Sequence, residues 1–169
     1  MYGGRIMLNL SGIIEESIVD GDGIRYVIFV QGCPHHCIGC QNPSTWEFKK
    51  NVLIDENKII QKIKENPLCS GITFSGGEPF TQAKELTKLA KQIHTLNKDV
   101  WAYTGYTFEQ LIKKDNEKAE LLKNVDVLVD GRFILTERDI SLKFRGSKNQ
   151  RVIDVQKTLK NRRIILKYE

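Results

Sequence analysis

Gly32-Cys33-Pro34-His35-His36-Cys37-Ile38-Gly39-Cys40-Gln41-Asn42-Pro43-Ser44-Thr45-Trp46 is the stretch around which the chain is organised. Three of its residues are cysteines, spaced C-x3-C-x2-C, and glycine and proline punctuate the run. A loop this tight is neither helix nor strand, so it can wrap several thiolates around one object. Thiolates are soft ligands, suited to zinc, copper(I) and iron–sulfur clusters. A closed structural zinc site takes four ligands, and a four-iron cluster commonly takes four thiolates. Three cysteines therefore leave one coordination position open, where a substrate can bind.

Working outward, Tyr26-Val27-Ile28-Phe29-Val30 is continuously apolar and β-branched, the pattern of a buried strand. It delivers Gly32-Cys33 at its carboxyl end, where ligands gather in parallel α/β sheets. Before it, Asp20-Gly21-Asp22-Gly23-Ile24-Arg25 reads as a turn. Arg5 to Leu10 reads as a short first strand. Asp55 caps a helix running to about Asn66, with Ile59, Ile60 and Ile63 on one face, and Pro67 ends it. Gly71-Ile72-Thr73-Phe74-Ser75 is a second core strand, with Gly76-Gly77-Glu78-Pro79 at its tip. A helix follows from about Thr81 to Leu96. Val100 to Tyr103 is a third strand, and Thr107 with Gln110 forms a capping-box pattern. Lys114 to Lys123 continues helical. Val125 to Val129 is a fourth, parallel strand, and the tail holds two more, Val152 to Val155 and Arg163 to Lys167.

Strands alternating with helices imply right-handed βαβ units and a mostly parallel sheet. Too few units are present for an eight-stranded barrel, which typically needs about 250 residues. The expected fold is α/β, a partial (open) β/α barrel, in a single domain spanning 1–169. The chain has 169 residues, 40% hydrophobic and 28% charged, enough for one sizeable core. No apolar run reaches membrane-span length and Met1-Tyr2-Gly3-Gly4-Arg5 opens no signal peptide, so a cytoplasmic protein is expected. In that compartment four cysteines, three of them crowded, favour metal or catalytic roles over disulfides. The net charge of +5 is scattered, without the aromatic-interleaved stripe of a nucleic-acid surface. Taken alone, the cysteine loop leaves a zinc knuckle open, with His35, His36 or Cys69 as fourth ligand. Cys69, beside a core strand, reads as a small buried hydrophobe. His94 reads as a helix-surface residue.

The C-x3-C-x2-C loop after a hydrophobic strand resembles the radical S-adenosylmethionine superfamily. The wider G-C-x-H-x-C-x-G-C-x-N-P-x-T-W resembles one branch, the activating proteins of anaerobic (class III) ribonucleoside-triphosphate reductase. Gly39 replaces the aromatic residue common before the third cysteine, a departure usual in that branch. The D-G-x-G-x-R element, Asp130-Gly131-Arg132-Phe133, and the tail motif Arg145-Gly146-Ser147-Lys148-Asn149-Gln150-Arg151 extend the likeness over about Gly12 to Val155. The tail motif has no physical assignment from sequence beyond a polar turn.

The resemblance implies a 4Fe-4S cluster on Cys33, Cys37 and Cys40 with one open iron. It implies S-adenosylmethionine beside Gly39, Cys40, Gln41, Gly76, Gly77 and Glu78. Glycines let backbone approach a ligand closely, and by matching position Glu78 takes the methionine amino group, with Ser75 assisting. His35 is implied as a loop-shaping or proton-handling residue. Reductive cleavage would yield a 5′-deoxyadenosyl radical that makes a glycyl radical on the reductase, with no protein general base required. A reduced flavodoxin-like protein is the implied electron donor. Thr104 and Asp130, at strand ends, are candidates for adenine and ribose contacts. Alternatives are an activase of the pyruvate formate-lyase type, a small-molecule radical enzyme such as the deazapurine-forming branch, and a non-catalytic zinc-binding module.

Overall fold

In the computed structural model, which describes residues 7–113 and 116–169, alternation along the central strands sets the architecture. Tyr26, Ile28 and Val30 of β2 (Ile24–Val30) enter the main core, as do Ile72 and Phe74 of β4 (Cys69–Gly76). Val100 and Ala102 of β5 (Asp99–Tyr103) and Leu128 of β6 (Val127–Asp130) do the same. The intervening residues, Phe29, Thr73, Ser75, Trp101, Tyr103, Val127 and Val129, take the opposite face. The first set is covered by helices α1 (Glu56–Glu65), α2 (Ala83–Thr95), α3 (Phe108–Ile112) and α4 (Glu117–Lys123). On the second, Trp101, Val127, Val129 and Val152 form a smaller cluster with Tyr103, Phe144 and Tyr168.

One eight-stranded sheet runs in the order β3-β1-β2-β4-β5-β6-β7-β8, with β1 (Met7–Ser17), β3 (Val52–Asp55), β7 (Arg151–Asp154) and β8 (Leu166–Tyr168). Only the middle is parallel: β2, β4, β5 and β6 pair in that sense. The edges are antiparallel, with β1 against both β2 and β3, and β7 against both β6 and β8. The expected parallel sheet is therefore its centre, and antiparallel strands flank it on each side. Among the described residues no helix is long and apolar enough to cross a membrane.

Most expected elements appear close to their places. Asp55 caps α1 by accepting from Asn57 N, and the Thr107–Gln110 capping box forms in full. Three differences stand out. The first strand runs on to Ser17, carried by pairing with β2 despite its polar residues. The strand β3 was not expected. Val155 ends no strand; it opens α5 (Val155–Asn161), capped by Asp154. Met1 to Ile6, including Arg5 of the expected first strand, and Lys114 and Asp115 of the expected helical stretch, lie outside the described residues.

Candidate functional site

Because β2, β4, β5 and β6 are parallel, their carboxyl ends lie side by side. The register pairs Val30 with Gly76 at the tips and Ile24 with Cys69 at the opposite end. A cavity of about 490 Å³ opens over these tips. Cys33, Cys37, Cys40, Gln41 and Asn42 of the loop after β2 line it. Ser75 and Gly76 of β4 with Gly77 after it, Thr104 and Gly105 after β5, and Gly131 after β6 complete that side. Its size is that of a small-molecule site.

The cysteine loop is held by its backbone and by both histidines. Gly32 N donates to Thr45 O at 2.7 Å, Cys33 N to Trp46 O at 3.1 Å, and Glu78 N to Gly32 O at 2.8 Å. His36 stacks on Trp46 with centroids 4.7 Å apart. His35 Nε2 meets Glu78 Oε1 at 2.7 Å, and its ring packs edge-on against Tyr106. Gly77 admits the close crossing of loop and strand, since a Cβ there would fall 2.3 Å from Gly32 O.

All three loop cysteines are free thiols. Burial pushes the Cys33 thiol pKa up, and the nearby charge of Glu78 adds to that. Among the described residues no group of three or more His, Cys, Asp or Glu side chains is arranged to hold a single metal ion. A four-iron cluster is wider than an ion, so its ligands need not converge on a point. Three soft donors from one loop, opening on one cavity beside glycine backbone, fit such a cluster.

The rival fourth ligands are all engaged or remote. His35 is bonded to Glu78 and His36 is stacked on Trp46. Cys69 is buried at the start of β4, donating to Gly71 O. It stands at the opposite end of the eight-residue β4 from Gly76 at the cavity, about 23 Å away at 3.3 Å per residue step. His94, read as a helix-surface residue, is bonded through Nε2 to Asp126 Oδ2 at 2.7 Å.

Of the residues expected at the cofactor, Cys40, Gln41, Gly76 and Gly77 line the cavity. Gly39 lies in the same loop with a φ of +78°, beside Leu135. Glu78 is fully buried and is not among the lining side chains. Its Oε1 accepts from His35 Nε2, from Thr104 Oγ1 at 2.8 Å and from Gly105 N at 2.8 Å. Its Oε2 accepts from Phe80 N at 3.0 Å. Asp130 is likewise spoken for. It accepts from Phe108 N and takes both Nε and Nη2 of Arg151, at 3.0 and 2.6 Å.

The tail motif gains a physical role. Gln150 Oε1 accepts from Gly146 N and Ser147 N, while its Nε2 donates to Gly131 O. Asn149 Nδ2 donates to Arg132 O. Arg151 forks between Asp130 and Glu109, which holds the Glu109 carboxyl below the usual carboxylate range. The knot ties the segment to the tip of β6 and brings Phe144, Arg145, Gly146 and Gln150 into the cavity wall. Arg25 of the D-G-x-G-x-R element lies fully buried under the cavity face, bonded to Thr73, Asp22, Ile72 and Asp99.

The family model described as a 4Fe-4S single cluster domain matches residues 19–153. The chain is similar to the anaerobic ribonucleoside-triphosphate reductase-activating protein of Haemophilus influenzae, 37% identical, covering 79% of this chain and 89% of the relative. The Vibrio cholerae protein of that name is 39% identical over the same shares. That of Enterobacteria phage T4 is 35% identical, covering 86% of this chain and 93% of the relative.

Proposed function

We propose, from the premise that this chain belongs to the family of anaerobic ribonucleoside-triphosphate reductase-activating proteins and carries their 4Fe-4S single cluster domain, that it generates the glycyl radical of that reductase. One observation carries the reading at the site: three free thiols of one loop open on one cavity, over the carboxyl ends of parallel strands. Cys33, Cys37 and Cys40 would hold three irons of a 4Fe-4S cluster and leave the fourth open. Gly39, Cys40 and Gln41 on one side, with Gly76 and Gly77 on the other, would border S-adenosylmethionine. Once both are bound and an electron enters, they supply a 5′-deoxyadenosyl radical that takes a hydrogen atom from a glycine of the reductase.

The chain's own work is positioning, since cofactors carry such chemistry. The backbone of Gly76 and Gly77 lets a ligand approach closely. The Gln150 knot holds Phe144 and Arg145 in the wall facing the cysteines. Val19, Ile38 and Leu135 are exposed beside this opening, an apolar border suited to a protein substrate. No side chain is needed as a general base. The finer fold reading, an open β/α barrel in a single domain, is supported by helices on one face of the sheet and the cavity on the other. A reduced flavodoxin-like donor suits the charge of +5, and the cytoplasm suits free thiols.

The test is anaerobic reconstitution with iron and sulfide, reduction with S-adenosylmethionine present, and assay for 5′-deoxyadenosine. Adding the anaerobic reductase should then give a glycyl radical signal by electron paramagnetic resonance. A colourless protein that takes up zinc and leaves S-adenosylmethionine intact would overturn the proposal in favour of a zinc-binding module. Cleavage without a reductase radical, but with one on pyruvate formate-lyase, would move it to that sibling activase.

A further inference from the structure

We infer that Glu78 is a positioning residue: with His35 it latches the cysteine loop to the tips of β4 and β5, and it does not itself meet the cofactor's amino group. The inference rests on the cluster-and-S-adenosylmethionine reading of the cavity. Four donors converge on the Glu78 carboxylate, from His35, Thr104, Gly105 and Phe80. Three of them, all from residues lining the cavity, fall on Oε1 and exceed its two lone pairs, while Oε2 takes Phe80 N in the buried interior. The oxygen reached from the cavity therefore has no capacity left for an incoming ammonium. The side chain is 0% exposed and that of His35 only 4%. His35, Thr104 and Gly105 all line the cavity, and Glu78 stands behind them.

The neighbouring residues are shaped for this contact. A Cβ on Gly105 would fall 2.4 Å from Cδ2 of His35, so the ring reaches its seat only because residue 105 is glycine. Tyr106 closes the other side of the ring, 4.6 Å between centroids at 77°. His35 lies between Cys33 and Cys37 in sequence. Pinning it therefore sets where two of the three thiols stand relative to the strand tips. Hydrogen bonds to a charged acceptor are stronger than neutral ones, which suits a latch. The backbone of Gly76 and Gly77, which does line the cavity, is left to meet an ammonium group.

The test begins on reduced, metal-free protein. Iodoacetamide labelling of Cys33, followed by mass spectrometry, reads how often the loop opens. Glu78→Gln, His35→Ala and Gly105→Ala should each speed labelling about tenfold, the order expected for loss of one charge-assisted hydrogen bond. The Glu78→Gln/His35→Ala double variant should be no faster than either single one, because both remove the same contact. His35→Gln, which keeps an N–H donor, should restore slow labelling. In reconstituted protein, Glu78→Gln and His35→Ala should change the Kd for S-adenosylmethionine by the same factor.

Unchanged labelling, or additive effects in the double variant, would overturn the latch. So would a tenfold loss of S-adenosylmethionine affinity in Glu78→Gln alone. If Glu78→Gln does not fold, His35→Ala, His35→Gln and Gly105→Ala decide the question by the same labelling. Failure of the wild-type protein to take a cluster would sink the function while leaving the labelling result standing.

Discussion

Replacing Arg25 by Met should destabilise the metal-free protein by about 4 kcal/mol, a value built up from the bonds its guanidinium makes. The guanidinium is completely buried. It donates through Nε to Thr73 Oγ1 at 2.7 Å, through Nη1 to Asp22 O at 3.0 Å, and through Nη2 to Ile72 O at 2.8 Å. It also pairs with Asp99 at 2.7 Å and lies 5.5 Å from the centre of the Trp101 ring. These interactions are unequal in worth. The Asp99 oxygen in this pair is buried, but the side chain as a whole is 45% exposed and can turn that oxygen to water, so its release costs little. Thr73 Oγ1 keeps its bond to Asp20 O. The carbonyls of Asp22 and Ile72 lose a cationic donor, about 1.5–3 kcal/mol each. The cation–π contact adds about 1 kcal/mol, and a well-packed Met stem returns about as much. With a urea slope near 2 kcal/mol/M, the midpoint should fall by about 2 M. Arg25→Lys should recover less than half, because an ammonium cannot reproduce the fork. Urea titration by circular dichroism under reducing conditions measures this. A midpoint shift below about 0.5 M for Arg25→Met would refute the claim that this arginine holds the turn, β4 and β5 together.

Three further outcomes are expected. Alanine at Cys33, Cys37 or Cys40 should abolish cluster uptake, whereas Cys69→Ala should leave iron and sulfide content unchanged; colorimetric iron and sulfide assays decide both. Gln150→Ala leaves Gly146 N, Ser147 N and Gly131 O without their partner and should cost about 2 kcal/mol. That corresponds to a melting temperature lower by about 4–8 °C in a chain of this size, with Gln150→Glu between it and wild type. The Glu109 carboxyl is held low chiefly by its hydrogen bonds from Arg151. Its contribution is thus present above the unfolded pKa of about 4.3 and lost as pH falls through the lower folded value. Glu109 is largely exposed, so the effect is only about 0.2–1 kcal/mol. Glu109→Gln, which leaves the Arg151–Asp130 contact in place, should flatten the acid limb of stability measured against pH, and an unchanged limb would discount the pair.

Where the fold was legible, the physics was local. Tyr26 to Val30 could only be a buried strand, and the Thr107–Gln110 box announced its own helix start. The antiparallel edges were not legible, because β1 finds β2 and β3 through pairing that no local pattern encodes. β3 is only four residues, half of them exposed. At the site, the spacing of the cysteines marked their loop, whereas the glycine pair stood out only through the family resemblance; both border the same cavity. The engagement of Glu78 stayed hidden because its partners lie 26, 27 and 43 residues away. The tail motif was opaque for the same reason: Gln150 acts on Gly131, 19 residues upstream.

The span between His35 and its seat at Thr104 and Gly105 has a consequence for biosynthesis. Between Cys40 and Gly105 lie 64 residues of chain, about 3–13 s of ribosomal elongation. Throughout that interval the loop has its local bonds to Thr45 and Trp46 but lacks the seat of His35 beside Thr104 and Gly105. If these cysteines hold the cluster, the position of Cys33 and Cys37 is fixed against the strand tips only once β5 has been made.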